Sequence, residues 1–131
     1  MSEITSYTVH ELKEKLDNKE LTSEEITKAY INRINEKEKE VGAFVTLRTE
    51  EAEKEAKKID IEGRTGTYAG IPIGIKDNLC TKGVKTTCSS KMLENFVSPY
   101  DATVVEKLNN EGIISLGKLN MDELAMGSST E

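Results

Sequence analysis

Apolar residues recur at helical spacing through the first half of the chain and in short unbroken runs through the second. Thr8-Val9-His10-Glu11 opens the first helix as a capping box, with the Thr hydroxyl taking a free N–H and the Glu reaching back. Val9, Leu12 and Leu16 then fall on one face. Thr22-Ser23-Glu24-Glu25 repeats the box, and Leu21 and Ile26 are placed to clasp it as a hydrophobic staple. Ile26, Tyr30 and Ile34 lie four apart, and Gly42 supplies the C-terminal stop. Residues 43–47 predict a strand, because β-branched and aromatic side chains sit there between two helices. A third helix follows with Ala52, Ala56 and Ile59 as its narrow buried stripe. Glu50, Glu51 and Glu53 lie toward its positive end, and Lys57 and Lys58 toward its negative end.

The second half alternates strand and helix. Residues 70–75 predict a strand with Pro72 close to its start, where a missing N–H is tolerated. Asp101 is placed to cap a helix carrying Val104, Val105 and Leu108, and Gly112 ends it. Residues 113–117 form a second apolar strand. Asn120-Met121-Asp122-Glu123 resembles a further capping box, starting a short helix that stops near Gly127. Strand, helix, strand in this order implies a crossover connection and parallel pairing within a covered sheet. The fold class is α/β, with a helical region over residues 1–62 and an α/β region over 63–131.

Composition narrows the function. The 131 residues carry 18 Lys plus Arg against 24 Asp plus Glu, a net charge of −6, which argues against a surface built to grip phosphate backbones. Two cysteines cannot staple a mini-fold, and Cys80 and Cys88 read as reduced thiols. A single His, His10, reads as a surface residue and cannot complete a zinc site with them. Asp77 and Asp122 lack the neighbouring carboxylates that a metal would need, so no metal is expected. Gly63 to Gly66 lacks the flanking strand and Lys-Ser/Thr of a phosphate-binding loop. No apolar run is long enough to span a bilayer and no basic or apolar leader opens the chain, so a cytoplasmic setting without membrane contact is expected.

In parallel sheets, chemistry sits beyond the C-terminal strand ends. Lys76 and Lys118 occupy such places. Lys118 reads as a solvated loop lysine. Lys76 differs: it follows Ile71, Ile73 and Ile75 and precedes Asp77-Asn78, and an apolar strand end favours the neutral amine that acts as a base.

Gly70-Ile71-Pro72-Ile73-Gly74-Ile75-Lys76-Asp77-Asn78 closely resembles the Lys motif of the amidase signature family. Thr86-Thr87-Cys88-Ser89-Ser90-Lys91-Met92-Leu93 and the run from Gly117-Lys118 through Met126-Gly127-Ser128 sharpen the resemblance. They point to its branch of glutamine-hydrolysing A subunits of tRNA-dependent amidotransferases. The resemblance implies helices packed around a mixed, largely parallel sheet, with residues 63–131 the start of an incomplete amidase core. It implies a Ser–cis-Ser–Lys triad in which Lys76 is the base, and places Met126, Gly127 and Ser128 beside the substrate amide. The two triad serines belong to motifs that the family places further on, so the chain is expected to be an N-terminal fragment, inactive alone.

The same resemblance implies glutamine as substrate, and ammonia as the product used to convert Glu-tRNA(Gln) or Asp-tRNA(Asn). It implies B and C subunits as partners, with misacylated tRNA reached through the complex. No cofactor is expected in this chain, since ATP and Mg would be used by a partner protein. A stand-alone amidase of the same family remains an alternative. So does a non-catalytic folding or interaction module, one capable of self-association.

Overall fold

The computed structural model describes residues 2–127. A short helix α1 (Ser2–Ser6) leads into α2 (Val9–Asp17) and the long α3 (Ser23–Val41). Strand β1 (Phe44–Leu47) and helix α4 (Thr49–Glu62) follow. Then come β2 (Pro72–Lys76), a single 3₁₀ turn at Lys91–Leu93, α5 (Thr103–Asn110), β3 (Ile114–Leu119) and another 3₁₀ turn at Glu123–Ala125.

Both predicted capping boxes form in full. Thr8 and Glu11 close one at the start of α2, and Thr22 and Glu25 close the other at the start of α3. Gly42 ends α3 in the left-handed conformation (φ 62°), which glycine adopts without a Cβ penalty. Ser23, completely buried, donates its hydroxyl to the Gly70 carbonyl at 2.7 Å, joining the start of α3 to the approach to β2.

The sheet is three-stranded in the order β1-β3-β2. β2 and β3 run parallel, as the crossover through α5 requires, while β1 pairs antiparallel with β3, so the sheet is mixed. Gly117 sits where β1 crosses closest: a Cβ there would lie 2.2 Å from the Thr46 carbonyl oxygen, so no other residue fits. Two apolar clusters hold the layers together. Leu12, Leu16, Ile26 and Ile71 form one; Ala52, Ala56, Ile114 and Leu116 form the other, and Tyr30 packs against both. The second cluster joins α4 to β3, so the two halves of the chain share a core.

Several local expectations give way. Val9 is 50% exposed, because α2 buries only Leu12 and Leu16. Helix α4 runs on to Glu62, which leaves Lys57 and Lys58 short of its last turn. Asp101 does not cap α5. Its carboxylate instead accepts from the Lys82 N–H at 2.7 Å, and Ala102 is the N-cap. No capping box forms at Asn120 to Glu123: Asn120 Oδ1 accepts from the Ser89 hydroxyl and the Met121 N–H. The single 3₁₀ turn that follows is capped at Asp122 without a side-chain bond and stops where Leu124 is left-handed (φ 52°). β3 extends two residues past Gly117, which places Lys118 inside the strand rather than in a loop after it.

Candidate active site

Lys76 is the last residue of β2, at the C-terminal edge of the parallel pair, and its side chain is exposed. The apolar strand alone therefore does not take its ammonium out of water. What fixes its position is its neighbour. Asp77 is completely buried. Its Oδ1 accepts from the Thr87 N–H and its Oδ2 from the Ser89 N–H, both at 3.1 Å, and Oδ2 also accepts from the Thr87 hydroxyl. Those two amides close on the carboxylate as a nest-like cradle where Cys88 and Ser89 are both left-handed (φ 50° and 53°), with the Cys88 N–H between them turned to the Asp77 backbone carbonyl instead. The Asp77 N–H extends the sheet to the Leu119 carbonyl (3.1 Å), and its carbonyl accepts from the Cys88 N–H (3.2 Å).

The same loop reaches the third segment of the site. The Cys88 carbonyl accepts from the Leu124 N–H (2.9 Å), and the Ser89 hydroxyl donates to Asn120 Oδ1 (3.0 Å) while accepting from the Met121 N–H (3.2 Å). Backbone bonds thus run from the Lys motif through residues 87–89 to the segment carrying Met126 and Gly127. Met126 is 82% exposed and Gly127 is exposed; Ser128 lies outside the described residues. Leu124 and Ala125 are left-handed as well (φ 52° and 60°), so two pairs of strained non-glycine residues flank the strand ends. Backbone strain of this kind gathers at functional sites. Nothing in the residue types announces it, since neither pair contains Gly or Asn. Beside the nest opens a cavity of about 370 Å³, lined among others by Thr87, Ser89, Ser90, Lys91 and Asn120.

Lys118 corrects the sequence reading most sharply. It has no exposed surface, and its Nζ donates to the Leu79 carbonyl (2.5 Å), Thr81 Oγ1 (3.1 Å) and Thr86 Oγ1 (3.2 Å). Burial pushes its pKa down, while the Asp77 carboxylate pulls it up. Burial also pushes the Cys88 thiol up, with Asp77 adding to the effect, so Cys88 is no activated nucleophile. Cys80 and Cys88 are both free. Among the described residues no group of three or more His, Cys, Asp or Glu side chains gathers to hold a metal ion, and no helix is long and apolar enough to cross a membrane.

The site thus gathers a primary amine on a rigid strand end, the buried Asp77 carboxylate held by the loop of residues 87–89, and a cavity bordered by that loop and Asn120. Comparison with known proteins gives the family. The family profile described as Amidase matches residues 25–131. A Caldanaerobacter subterraneus protein, named as the A subunit of glutamyl-tRNA(Gln) amidotransferase, is 54% identical over 98% of this chain and 27% of its own length. A Clostridium botulinum protein of that name is 53% identical over the same shares. Among solved structures, the A subunit of the Thermotoga maritima glutamyl-tRNA(Gln) amidotransferase superposes with a TM-score of 0.77 at 37% identity, over 98% of this chain and 26% of that one. An amidase family protein from Bacillus anthracis superposes at 0.84 with 32% identity, over 93% and 25%. The chain spans about a quarter of the length of these relatives. Its sequence match and its strand-end architecture lead to one conclusion: the chain belongs to the amidase family.

Proposed function

We propose that these residues form the Lys-bearing N-terminal quarter of the glutamine-hydrolysing component of a tRNA-dependent amidotransferase. The observation that carries the reading is the 54% identity to the A subunit of such an enzyme, which extends across both the Lys76 motif and the Met126 segment. In this reading Lys76, neutral, takes a proton through a serine in a cis peptide from the nucleophilic serine, both supplied by chain beyond residue 131. The serine oxygen bonds to the side-chain carbonyl carbon of glutamine, and N–H groups hold the oxyanion. The C–N bond then breaks as the amide nitrogen takes the proton and leaves as ammonia. Water cleaves the resulting ester to glutamate. Met126, Gly127 and Ser128 border the amide, and the later chain covers the exposed Lys76 and makes its site dry.

The ammonia serves conversion of Glu-tRNA(Gln), or Asp-tRNA(Asn), in the cytoplasm. The B and C subunits bring the tRNA, and ATP and Mg belong to a partner protein. The test is the full-length protein, co-expressed with its partner chains and given glutamine, ATP and misacylated tRNA. Glutamate release with amidated tRNA as product is the expected outcome.

A stand-alone amidase is the second reading, and the higher TM-score with the Bacillus anthracis amidase, 0.84 against 0.77, favours it. Hydrolysis of varied amides, with no preference for glutamine and no co-purifying chain, would establish that reading instead.

A further inference from the structure

The buried lysine behind the strand ends is too costly to be an accident of packing. An ammonium removed from water is expensive, and an apolar side chain of similar volume is commonly neutral or better for stability. Among the described residues no carboxylate oxygen lies within ion-pair distance of Lys118 Nζ. Asp77 acts on it only through the field, together with Cys80 and Cys88.

Three oxygens surround the Lys118 nitrogen, and the proton inventory of that shell is complete. The Thr81 hydroxyl donates to the Leu79 carbonyl (3.1 Å) and the Thr86 hydroxyl to the Val84 carbonyl (3.4 Å). Both hydroxyls therefore turn lone pairs toward Lys118, and the Leu79 carbonyl has only lone pairs to offer. Three acceptors match the three N–H bonds of an ammonium; a neutral amine would leave one unmet.

The shell also sits in a telling place. Lys118 pairs with Ile75 across the sheet, one register step from Lys76, and its grip falls on Leu79, whose N–H closes a turn back to the Lys76 carbonyl at 3.0 Å. Lys76 thus leaves the sheet between two fixed points: Asp77, locked into the nest, and Leu79, locked to Lys118.

We infer that Lys118 is a positioning residue for the proposed amide hydrolysis: its ammonium holds the turn from Lys76 to Leu79 and so aims Lys76 at the relay serine. The inference rests on the reading of Lys76 as the base.

The test uses the full-length enzyme in its complex, with Lys118→Met, Lys118→Arg, Thr86→Val and Lys76→Met compared for glutamine hydrolysis. For Lys118→Met we expect kcat to fall about tenfold or more, as for loss of a positioning contact, with KM for glutamine little changed. Lys118→Arg restores most of kcat, and Thr86→Val gives a smaller fall in kcat, which keeps the test open if Lys118→Met fails to fold. A structural lysine would lower thermal stability alone. Unchanged kcat per folded site in Lys118→Met, or in Thr86→Val should the first not fold, would overturn the inference while leaving Lys76 as base. Full turnover in Lys76→Met would overturn both readings.

Discussion

Lys76 and Lys118 lie one register step apart on paired parallel strands yet meet opposite environments: Lys76 is exposed, and Lys118 has no exposed surface at all. Successive side chains of a strand point to opposite faces. Lys118 shares the Ile75 side, under the loop of residues 79–86, while Lys76 shares the side of Leu119. One lysine is open to its surroundings, and the other is enclosed by the frame.

That division predicts how substitutions at Lys76 behave. In the full-length protein, Lys76→Ala should lower glutamine turnover by about a hundredfold to ten-thousandfold, the usual worth of a positioned base. Thermal stability should be nearly unchanged, because an exposed side chain is removed. Ammonia release and a melting curve on the same preparation check both halves. Under the proposed relay, whose two serines are not among these residues, residues 1–131 alone should release no ammonia above background. Steady release that survives Lys76→Ala would place the chemistry elsewhere.

Asp77 should behave in the opposite way, as a residue of the frame first. Its carboxylate answers two backbone N–H groups and one hydroxyl in a site closed to water. Asp77→Asn replaces one acceptor oxygen by an NH₂ that faces donors. Hydrogen bonds to a charged group are worth about 1.5–3 kcal/mol each, and buried donors left unmet are costly. We expect a loss of at least about 2 kcal/mol, read by denaturant unfolding. Exchange protection should also fall at Thr87 and Ser89. Unaltered stability would mean that the nest holds itself without the carboxylate.

How far this site was legible in the sequence depends on which residue is asked. The capping boxes at Thr8 and Thr22, the Gly42 stop and the Ile-rich strand before Lys76 act through local chemistry, and local reading finds them. The parallel pairing of β2 and β3 follows from the intervening helix. Lys118 was not legible, because its burial depends on acceptors at Leu79, Thr81 and Thr86, more than thirty residues away in sequence. Asp101 failed for a related reason: its carboxylate had a better partner in the Lys82 N–H than in the free amides of α5. The left-handed pairs at Cys88-Ser89 and Leu124-Ala125 coincide with the Asp77 contacts and the Leu124–Cys88 backbone bond, against the preferences of their own residues. Tertiary bonding overrides local preference where the site is built.

The buried ammonium also has a signature in pH. Burial sets the Lys118 pKa below its ordinary value in the folded chain, while unfolding returns it to about 10.4. Between those two values the unfolded state binds more protons than the folded one, so stability rises with pH across that window. Below the folded pKa the cost of the buried charge is present in full. Wild type should therefore gain stability relative to Lys118→Met as pH climbs toward about 10.4, with the difference flat below the window. Paired melting curves from neutral to alkaline pH read it directly. A difference independent of pH throughout would mean that Lys118 does not titrate within that range.

Asp60 makes a prediction far from the site. At the far end of α4 its two oxygens accept from the N–H groups of Ser23 (2.8 Å) and Glu24 (2.9 Å), completing what the Thr22 box leaves open at the start of α3. A carboxylate there also suits the positive end of the helix dipole. Asp60→Ala should cost about 1–2 kcal/mol, the range of lost caps, although Asp60 is exposed and buries little surface. Denaturant unfolding of the full-length protein measures it. A change within a few tenths would show that water replaces the carboxylate freely.

The last prediction concerns residues 1–131 expressed by themselves. The sheet order β1-β3-β2 puts β2 at an edge, which is blunted only by Pro72 at its start, the register shift between Ile73 and Gly74, and Lys76 at its end. Natural edges are blunted by charges, bulges or covering loops, because a row of unpaired N–H and C=O groups templates further pairing. Apolar side chains add to the liability: Met92 is 90% exposed, Met126 82%, Tyr100 59% and Leu124 51%. Exposed apolar area of this kind drives association when several side chains are covered together. Full burial of a Leu, Ile or Met side chain contributes roughly 1.5–3 kcal/mol, and covering several offsets the entropy lost on association. The net charge of −6 opposes assembly at low ionic strength. Residues 1–131 should therefore self-associate at micromolar concentration, more strongly as salt screens the repulsion, which light scattering across a salt series reads. Ile73→Lys should reduce association if β2 is the seam, whereas Leu124→Glu with Met126→Glu should reduce it if the apolar surface is. A sharply melting monomer at every salt concentration would show instead that the two apolar clusters suffice, and that these residues fold as a self-sufficient unit.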